Sequence, residues 1–257
     1  MKTIITNIEG RTGIITLNRP EKRNALNQEL VSELKGQLLA WQDEPSVKTI
    51  VIKGSGKAFC AGADLEYLQQ LQKNTYEENL ADSNHLKELF FMIYDYPKTI
   101  IACVQGHAIA GGCGLANVCD FTFSVPEAKF GYTEVKIGFV PAMVLVFLIR
   151  KIGEARAKEL LLSGELITAE RAEIIGIVNK VVDKDELGEY VLEFAEKLNN
   201  TNSGESISIT KKMIHKVQNM TIDEALNYAS EMNAKARATD DCKTGIDSFL
   251  SKKPLTW

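Results

Sequence analysis

The first 125 residues alternate short β-branched runs with longer amphipathic stretches, and this alternation constrains the fold more than any other feature of the sequence. Ile, Val and Thr concentrate in five predicted strands, at 2–9, 12–17, 47–53, 99–105 and 120–125. A helix is predicted over 27–43, because Leu30, Leu34 and Leu38 recur there at helical spacing. The repeated order of strands and helices predicts an α/β fold with a layered core.

After about residue 141 the pattern becomes mostly helical. The nearly all-apolar run over 141–152 should lie deep in the core or against another subunit. Separate helices are predicted over 154–163, 169–175 and 185–200. A polar stretch at 199–204 then interrupts the pattern, and we predict a core domain over 1–197 and a C-terminal helical region over 198–257. The second segment is too short for a core of its own, so it should pack on the first or on a partner.

Composition excludes several classes of protein. A globular chain of 257 residues is expected to expose about 11,000 Å² when folded. Lys and Arg total 30 against 34 Asp and Glu, and this net charge of -4 disfavours nucleic acid and anionic membranes as partners. No apolar run is long enough to span a bilayer. The five cysteines are scattered without a C-x-x-C pair, which disfavours disulfides and structural zinc and predicts a cytoplasmic protein.

Several common catalytic motifs are incomplete. The segment 54–57 resembles the end of a P-loop, but Val51 stands where the first glycine is needed and Ala58 where Ser or Thr is needed. The segment 112–114 cannot start a dinucleotide fingerprint, because Asn117 occupies the last glycine position. Neither a G-x-S-x-G elbow nor an H-E-x-x-H pair occurs. Nucleotide hydrolysis, Rossmann-type dehydrogenation, serine hydrolysis and zinc hydrolysis are therefore disfavoured.

Two glycine-rich loops remain, at 57–65 and at 104–115, and each follows a predicted strand and precedes a predicted helix. Small residues let a ligand approach the backbone closely. A helix N-terminus also offers unpaired N–H groups to negative charge. If the two loops converge, they would form an anion hole with two donors, although a glycine pair before a helix is also common for tight packing alone.

Five segments in order resemble the crotonase (enoyl-CoA hydratase/isomerase) superfamily over nearly the whole chain. They are N-R-P-x-x-x-N-A-L at 18–26, F-x-A-G-x-D-L at 59–65, a G-x-x-x-G-G-G-x…C-D pattern at 106–120, F-x-x-x-E-x-x-x-G-x-x-P at 130–141, and a C-terminal pattern at 241–257. The resemblance implies a spiral of β-β-α units, the ClpP/crotonase-like fold, with a C-terminal helical region. It also implies assembly as homotrimers or homohexamers.

The resemblance also assigns roles. The backbone N–H groups of Ala63 and Gly111 would form the oxyanion hole for an acyl-CoA thioester carbonyl, and Glu134 would be the catalytic carboxylate. The implied CoA and substrate site comprises Arg23, Ala25, Ala61, Asp64, Leu65, Gly112 and Gly114. Neither a metal nor a redox cofactor is implied, since coenzyme A arrives as part of the substrate.

Two departures from the pattern narrow the activity. Family hydratases typically carry a second glutamate where this chain has Gly114, so Glu134 alone resembles the pattern of double-bond isomerases. The glycines that usually follow Pro141 are also absent, and the apolar segment 142–147 predicts a more apolar acyl pocket. Hydration of a short or branched, methylglutaconyl-type enoyl-CoA stays open as an alternative. A non-catalytic acyl-CoA-binding module is a further alternative.

Overall fold

The computed structural model describes residues 2–257, except for the side chain of Leu65. The strands are β1 (Ile4–Glu9), β2 (Thr12–Leu17), β3 (Thr49–Gly54), β4 (Ala58–Cys60), β5 (Thr99–Val104), β6 (His107–Ile109), β7 (Phe121–Ser124), β8 (Lys129–Gly131), β9 (Ile167–Thr168) and β10 (Lys180–Val181). The helices are α1 (Gln28–Gln42), α2 (Leu65–Leu71), α3 (Tyr76–Tyr94), α4 (Gly111–Val118), α5 (Ala142–Ser163), α6 (Ala169–Ile174), α7 (Leu187–Thr201), α8 (Gly204–Val217), α9 (Ile222–Arg237) and α10 (Asp240–Ser251).

The five strands predicted from the sequence form most of one sheet, with the order β1-β2-β3-β5-β7-β10. β1 and β2 pair antiparallel as a hairpin, and the remaining neighbours pair in parallel. β5 is buried along its whole length, as expected for a central parallel strand covered on both faces. This α/β architecture confirms the predicted fold class.

A second sheet, absent from the expectations above, has the order β4-β6-β8-β9. β4, β6 and β8 pair in parallel, while β9 pairs antiparallel with β8. Each of the three parallel strands is three residues long, too short to display a hydrophobic period.

The predicted helix over 27–43 is α1, and its first turn shows why it starts there. The Asn27 side chain accepts a hydrogen bond from the N–H of Leu30 at 2.9 Å and so caps the helix. The apolar stripe is buried, with Leu30, Leu34 and Leu38 fully inside the core. The capping residue and the spacing of the apolar residues therefore both predict a helix at α1.

The apolar run over 141–152 is only half buried. In α5, Val144 and Leu148 lie in the core, whereas Val146 is 43% and Ile149 38% exposed in the single chain. Gly153, at φ 79° and ψ 163°, interrupts the helix and separates this run from the predicted helix over 154–163. The run is thus amphipathic, with a second apolar face that no described residue covers.

The chain turns at Asn202, later than the predicted boundary between residues 197 and 198, which falls inside α7. Asn199 explains the continuity of α7 with the core. Its buried amide accepts from the Thr49 hydroxyl at 2.7 Å and donates to that of Thr12 at 3.0 Å. α9 and α10 bury none of their residues. Within residues 2–257, no helix is both long and apolar enough to cross a membrane.

Candidate active site

Three neighbouring strand ends form the site. β4 leads to Ala63, β6 leads to Gly111, and β8 leads to Glu134. Because β4, β6 and β8 are parallel neighbours, their carboxyl ends lie at one edge of the sheet. Ala63, Gly111 and Glu134 all line the same cavity of about 520 Å³.

The N–H of Ala63 is held facing away from the adjacent chain segment. An isolated parallel bridge joins Leu26 and Ala63, in which the Leu26 N–H donates to the Gly62 carbonyl at 2.6 Å and the Asp64 N–H donates to the Leu26 carbonyl at 2.9 Å. Successive N–H groups of an extended segment point to opposite sides, so the Ala63 N–H points away from Leu26. It has no acceptor among the described backbone groups.

The N–H of Gly111 is free for a different reason. Gly111 is the first residue of α4, and the first N–H groups of a helix have no partner within it. The helix is anchored just before and after this point, because Ala110 donates to the Gly131 carbonyl at 2.7 Å and accepts from the Gly114 N–H at 3.0 Å. The N-terminal end of the α4 dipole therefore faces the cavity.

The two loops touch at Gly62. A Cβ atom at this position would lie 2.8 Å from the Ala110 Cβ and 3.4 Å from the Gly111 nitrogen. Gly62 also has φ +89°, which side chains disfavour. Glycine is therefore required here, and the close approach brings the two loops together beside the cavity that Ala63 and Gly111 both line.

Glu134 places a carboxyl group beside the two loops, in the same cavity. It begins a short 3-10 helix, Glu134–Ile137, and its Oε2 is buried without a hydrogen-bond partner among the described residues. Burial raises the pKa of the carboxyl, and a backbone hydrogen bond offsets only part of that rise. An unpartnered carboxylate with a raised pKa is suited to taking up and releasing a proton.

The place of the second glutamate is filled by another side chain. A Cβ atom on Gly114 would overlap Val144 Cγ1 and lie 3.5 Å from Phe90 Cε2. Gly114 itself is buried. A glutamate therefore cannot be accommodated at this position unless Val144 changes.

The cavity walls are largely apolar. They include Ile137, Phe139, Val140 and Met143 from the segment that runs into α5. A side-chain hydrogen bond links α2 to α3 at the cavity wall, where the Tyr67 hydroxyl donates to Asp82 Oδ1. Burial, together with this hydrogen bond, raises the pKa of Tyr67, so the phenol stays protonated.

Of the residues expected at the CoA site, Ala61 lines the cavity, whereas Arg23 and Ala25 are not among its lining residues. Arg23 is exposed at φ 52°, and its carbonyl accepts from the Ala61 N–H at 3.0 Å. The Ala25 carbonyl accepts from Arg19 Nη1 at 2.5 Å. These contacts act through the backbone, and the roles toward CoA stay predictions.

Asp64 turns inward to Arg19, which was not among the residues expected at the site. Its carboxylate pairs with Arg19 Nη2 at 2.6 Å and caps α2 by accepting from the Glu66 N–H at 3.0 Å. Burial alone would raise the pKa of Asp64, but the Arg19 guanidinium and the Glu66 N–H outweigh it and lower the pKa. The signal for Arg19 is its place in the N-R-P segment, one residue before the proline.

Of the remaining predicted residues, Gly112 and Gly114 are not among the lining residues of the cavity and instead pack α4 against its neighbours. A Cβ on Gly112 would overlap the Cys60 carbonyl oxygen, so Gly112 packs α4 against β4. Gly114 packs against Val144, and the side chain of Leu65 lies outside the described residues. Among the described residues, no three His, Cys, Asp or Glu side chains cluster in a way that could hold a metal ion.

Comparison with known proteins places this chain in a family. The family model described as enoyl-CoA hydratase/isomerase matches residues 7–257. A Thermus thermophilus relative, whose name assigns it provisionally to the enoyl-CoA hydratases, is 40% identical over 246 residues, 96% of this chain and 97% of that protein. The crotonyl-CoA hydratase of Syntrophomonas wolfei is 34% identical over 255 residues, 98% of this chain and 96% of that protein.

Solved structures of enzymes named enoyl-CoA hydratases have the same fold as this chain. The crystal structure of an enoyl-CoA hydratase from Shewanella pealeana superimposes with a TM-score of 0.94 at 28% identity, covering 99% of this chain and 96% of that chain. The crotonase-like fold expected from the sequence motifs is thereby confirmed. The match over nearly the whole length leaves one assignment: the chain is an enzyme of the enoyl-CoA hydratase/isomerase family.

Proposed function

We propose that this protein shifts the double bond of a β,γ-unsaturated acyl-CoA thioester, using an oxyanion hole and one glutamate. The observation that carries the proposal is the unpartnered, buried Glu134 Oε2, which shares a cavity with Ala63 and Gly111. The family comparison supports an acyl-CoA substrate.

The N–H groups of Ala63 and Gly111 would receive the thioester oxygen. Removing a proton from the α-carbon places negative charge on that oxygen, and donors already oriented toward it stabilise the resulting enolate. Loss of one such donor typically costs ~2.7–4 kcal/mol in the transition state. The α4 N-terminus behind Gly111 adds a favourable dipole.

Glu134 would then move the proton. The carboxylate removes a proton from Cα of the 3-enoyl thioester, and the electron pair delocalises as a dienolate onto the thioester oxygen. The carboxylic acid returns the same proton to Cγ, which places the double bond between Cα and Cβ. One proton moves, and the electrons come from the substrate itself. Glu134 and the acyl-CoA are therefore sufficient for these steps.

Val144 supports isomerisation over hydration. Hydration needs a water held and deprotonated beside Cβ, a task for which two carboxylates are suited. Here the volume beside Gly114 is occupied by Val144 and Phe90. A single carboxylate in an apolar wall is sufficient for proton transfer between two carbons of one enolate.

Hydration of a short or branched enoyl-CoA is the second candidate, and the names of the relatives favour it. In that reaction the water oxygen would add to Cβ, and Glu134 would pass the water's proton to Cα. The same hole and the same carboxylate serve both reactions, so the outcome depends on whether the cavity holds a water.

We also propose that Arg23, Ala25, Ala61, Asp64 and Leu65 form the CoA side of the site, mainly through their backbone. Assembly as a homotrimer or homohexamer is proposed as well, supported by the uncovered apolar faces of α5, α9 and α10. A reducing, cytoplasmic setting is supported by the five free thiols, four of which are buried.

The experiment that separates the two reactions offers 3-hexenoyl-CoA, crotonyl-CoA and 3-methylglutaconyl-CoA, and follows the absorbance of the conjugated thioester. We expect a rise with 3-hexenoyl-CoA, because isomerisation creates the conjugation. A fall with either conjugated substrate would instead assign hydration. No absorbance change with any of the three substrates would favour a module that binds acyl-CoA without turnover.

Glu134→Gln tests the role of the carboxylate. We expect turnover to fall by at least ~10²-fold, while calorimetry shows unchanged binding of the CoA ester. Glu127→Gln is the matched control, because Glu127 is exposed and removed from the cavity. Undiminished turnover in Glu134→Gln would contradict the proposal.

A further inference from the structure

Ala110 has a backbone conformation that side chains rarely adopt. Its φ is 52° and its ψ is −127°. Arg23 and Lys252 also have positive φ, but their ψ values of 36° and 30° lie in the ordinary left-handed region. The Ala110 combination is that of the first central residue of a type II′ turn, a position dominated by glycine. This chain carries a methyl group at that position.

Two sets of contacts hold Ala110 in this conformation. Its N–H donates to the Gly131 carbonyl at 2.7 Å, and its carbonyl accepts from the Gly114 N–H at 3.0 Å. Its methyl group faces Gly62, since a Cβ built there would come within 2.8 Å of it. Strain of this kind persists only where the surroundings over-determine it, and it clusters at functional sites.

The methyl group lies between the two segments that carry the free N–H groups. Ala110 precedes Gly111, and Gly62 precedes Ala63. With glycine at 110, the chain would have three consecutive glycines at the start of α4, and nothing larger than hydrogen would separate the two loops. The N–H directions would then vary more, and donors that vary in direction stabilise an oxyanion less.

We propose that Ala110 is a positioning residue, whose strained methyl group sets the spacing and direction of the Ala63 and Gly111 N–H groups toward the thioester oxygen. The inference rests on the proposed function, because it concerns how the two N–H donors of the proposed oxyanion hole are held in position. Ala110 acts through these two backbone groups and transfers no proton itself.

Ala110→Gly tests the inference with two readouts. The first is kinetic: we expect kcat to fall about tenfold with KM changed far less, because the lost interaction is made in the transition state. The unfolding midpoint should stay at or above that of the wild type, since glycine relieves the unfavourable φ and ψ. A loss of activity with retained stability separates positioning from folding.

The second readout needs no turnover. A dienoyl-CoA such as 2,4-hexadienoyl-CoA absorbs at longer wavelength when its carbonyl is polarised by hydrogen bonds. Bound at saturation to Glu134→Gln, it should show a red shift, and the shift should shrink in the double variant with Ala110→Gly. This spectrum reports the hole directly, independently of proton transfer.

Lys252→Gly is the matched control, because Lys252 is an exposed residue with φ 55° at the end of α10. The Lys252→Gly variant should keep the full kcat, and in the Glu134→Gln background it should keep the full red shift. Full kcat and an unchanged red shift in Ala110→Gly would overturn the inference. If the wild type turns over none of the substrates yet produces the red shift, the proposed reaction fails, and the spectrum of the double variant alone decides the role of Ala110.

Discussion

The burial of Glu134 suits its carboxyl to proton transfer but should lower the stability of the folded chain at neutral pH. Its buried Oε2 lacks a hydrogen-bond partner among the described residues, and burial raises the pKa of its carboxyl. A carboxyl whose pKa is raised in the folded state stabilises the protein at pH values below its unfolded pKa, about 4.3, and this stability is lost as pH rises through the folded pKa. At neutral pH the ionised Glu134 should therefore destabilise the chain.

Glu134→Gln should accordingly raise the free energy of unfolding at pH 7 by ~1 kcal/mol, or about 2–4 °C in the unfolding midpoint. The gain should shrink as pH falls through the raised pKa of the folded state towards the ordinary pKa of glutamate, because the wild-type carboxyl is then protonated too. Thermal unfolding of both proteins from pH 4 to pH 8 measures this difference. A gain that is independent of pH would contradict the assigned cause, and the exposed Glu127→Gln variant should show none.

Among the secondary-structure elements, the packing of α4 on α5 decides which side chains the site can hold. Gly114 of α4 lies against Val144 of α5, so even a methyl group would overlap Val144 Cγ1. We expect Gly114→Ala to destabilise the protein by ~1–3 kcal/mol, as overpacking of a core does. Urea unfolding measures the change.

Gly36→Ala is the control for Gly114→Ala, since Gly36 is an exposed α1 residue and an alanine methyl there would have no neighbour within 4 Å. It should stabilise the protein by ~0.5–1 kcal/mol through helix propensity alone. Combining Gly114→Ala with Val144→Ala should recover much of the loss, because the two residues share one space. Strict additivity of the two changes would show that Val144 is not the obstacle.

The surface of the whole chain is larger than a protein of this length should expose. The accessible area is 13814 Å², well above the ~11,000 Å² expected from size. Phe249 is 83%, Ile222 82% and Leu250 72% exposed, all in α9 and α10. Apolar side chains on helices without buried residues are typical of a face that another chain covers.

Light scattering should therefore give a trimeric or hexameric mass for the wild type. Replacing Phe249 and Leu250 with serine should lower that mass toward a single chain. Circular dichroism should retain the β-sheet and helix signals, since neither side chain contributes to the core. A monomeric wild type at micromolar concentration would contradict the proposed assembly.

Elements whose signals are local could be predicted from the amino-acid sequence. β2, β3 and β5 lie in runs rich in β-branched residues, β7 lies in a run with two phenylalanines, and α1 has both its cap and its apolar stripe within one segment. The two glycine-rich loops were also predictable, because small residues before a helix have a recognisable spacing. The motifs around Ala63, Gly111 and Glu134 indicate the family without any knowledge of tertiary contacts.

The assembly of these parts into a site depends on contacts that no local pattern encodes. The second sheet is made of three-residue strands, whose pairing depends on partners far along the chain and leaves no period in the sequence. The Arg19–Asp64 pair and the overlap of Gly114 with Val144 likewise join residues distant in sequence. The strained dihedral angles of Ala110 are held by hydrogen bonds to β8 and to the first turn of α4. Local propensities select the elements, whereas the direction of a free N–H and the space beside a carboxylate are set by packing between them.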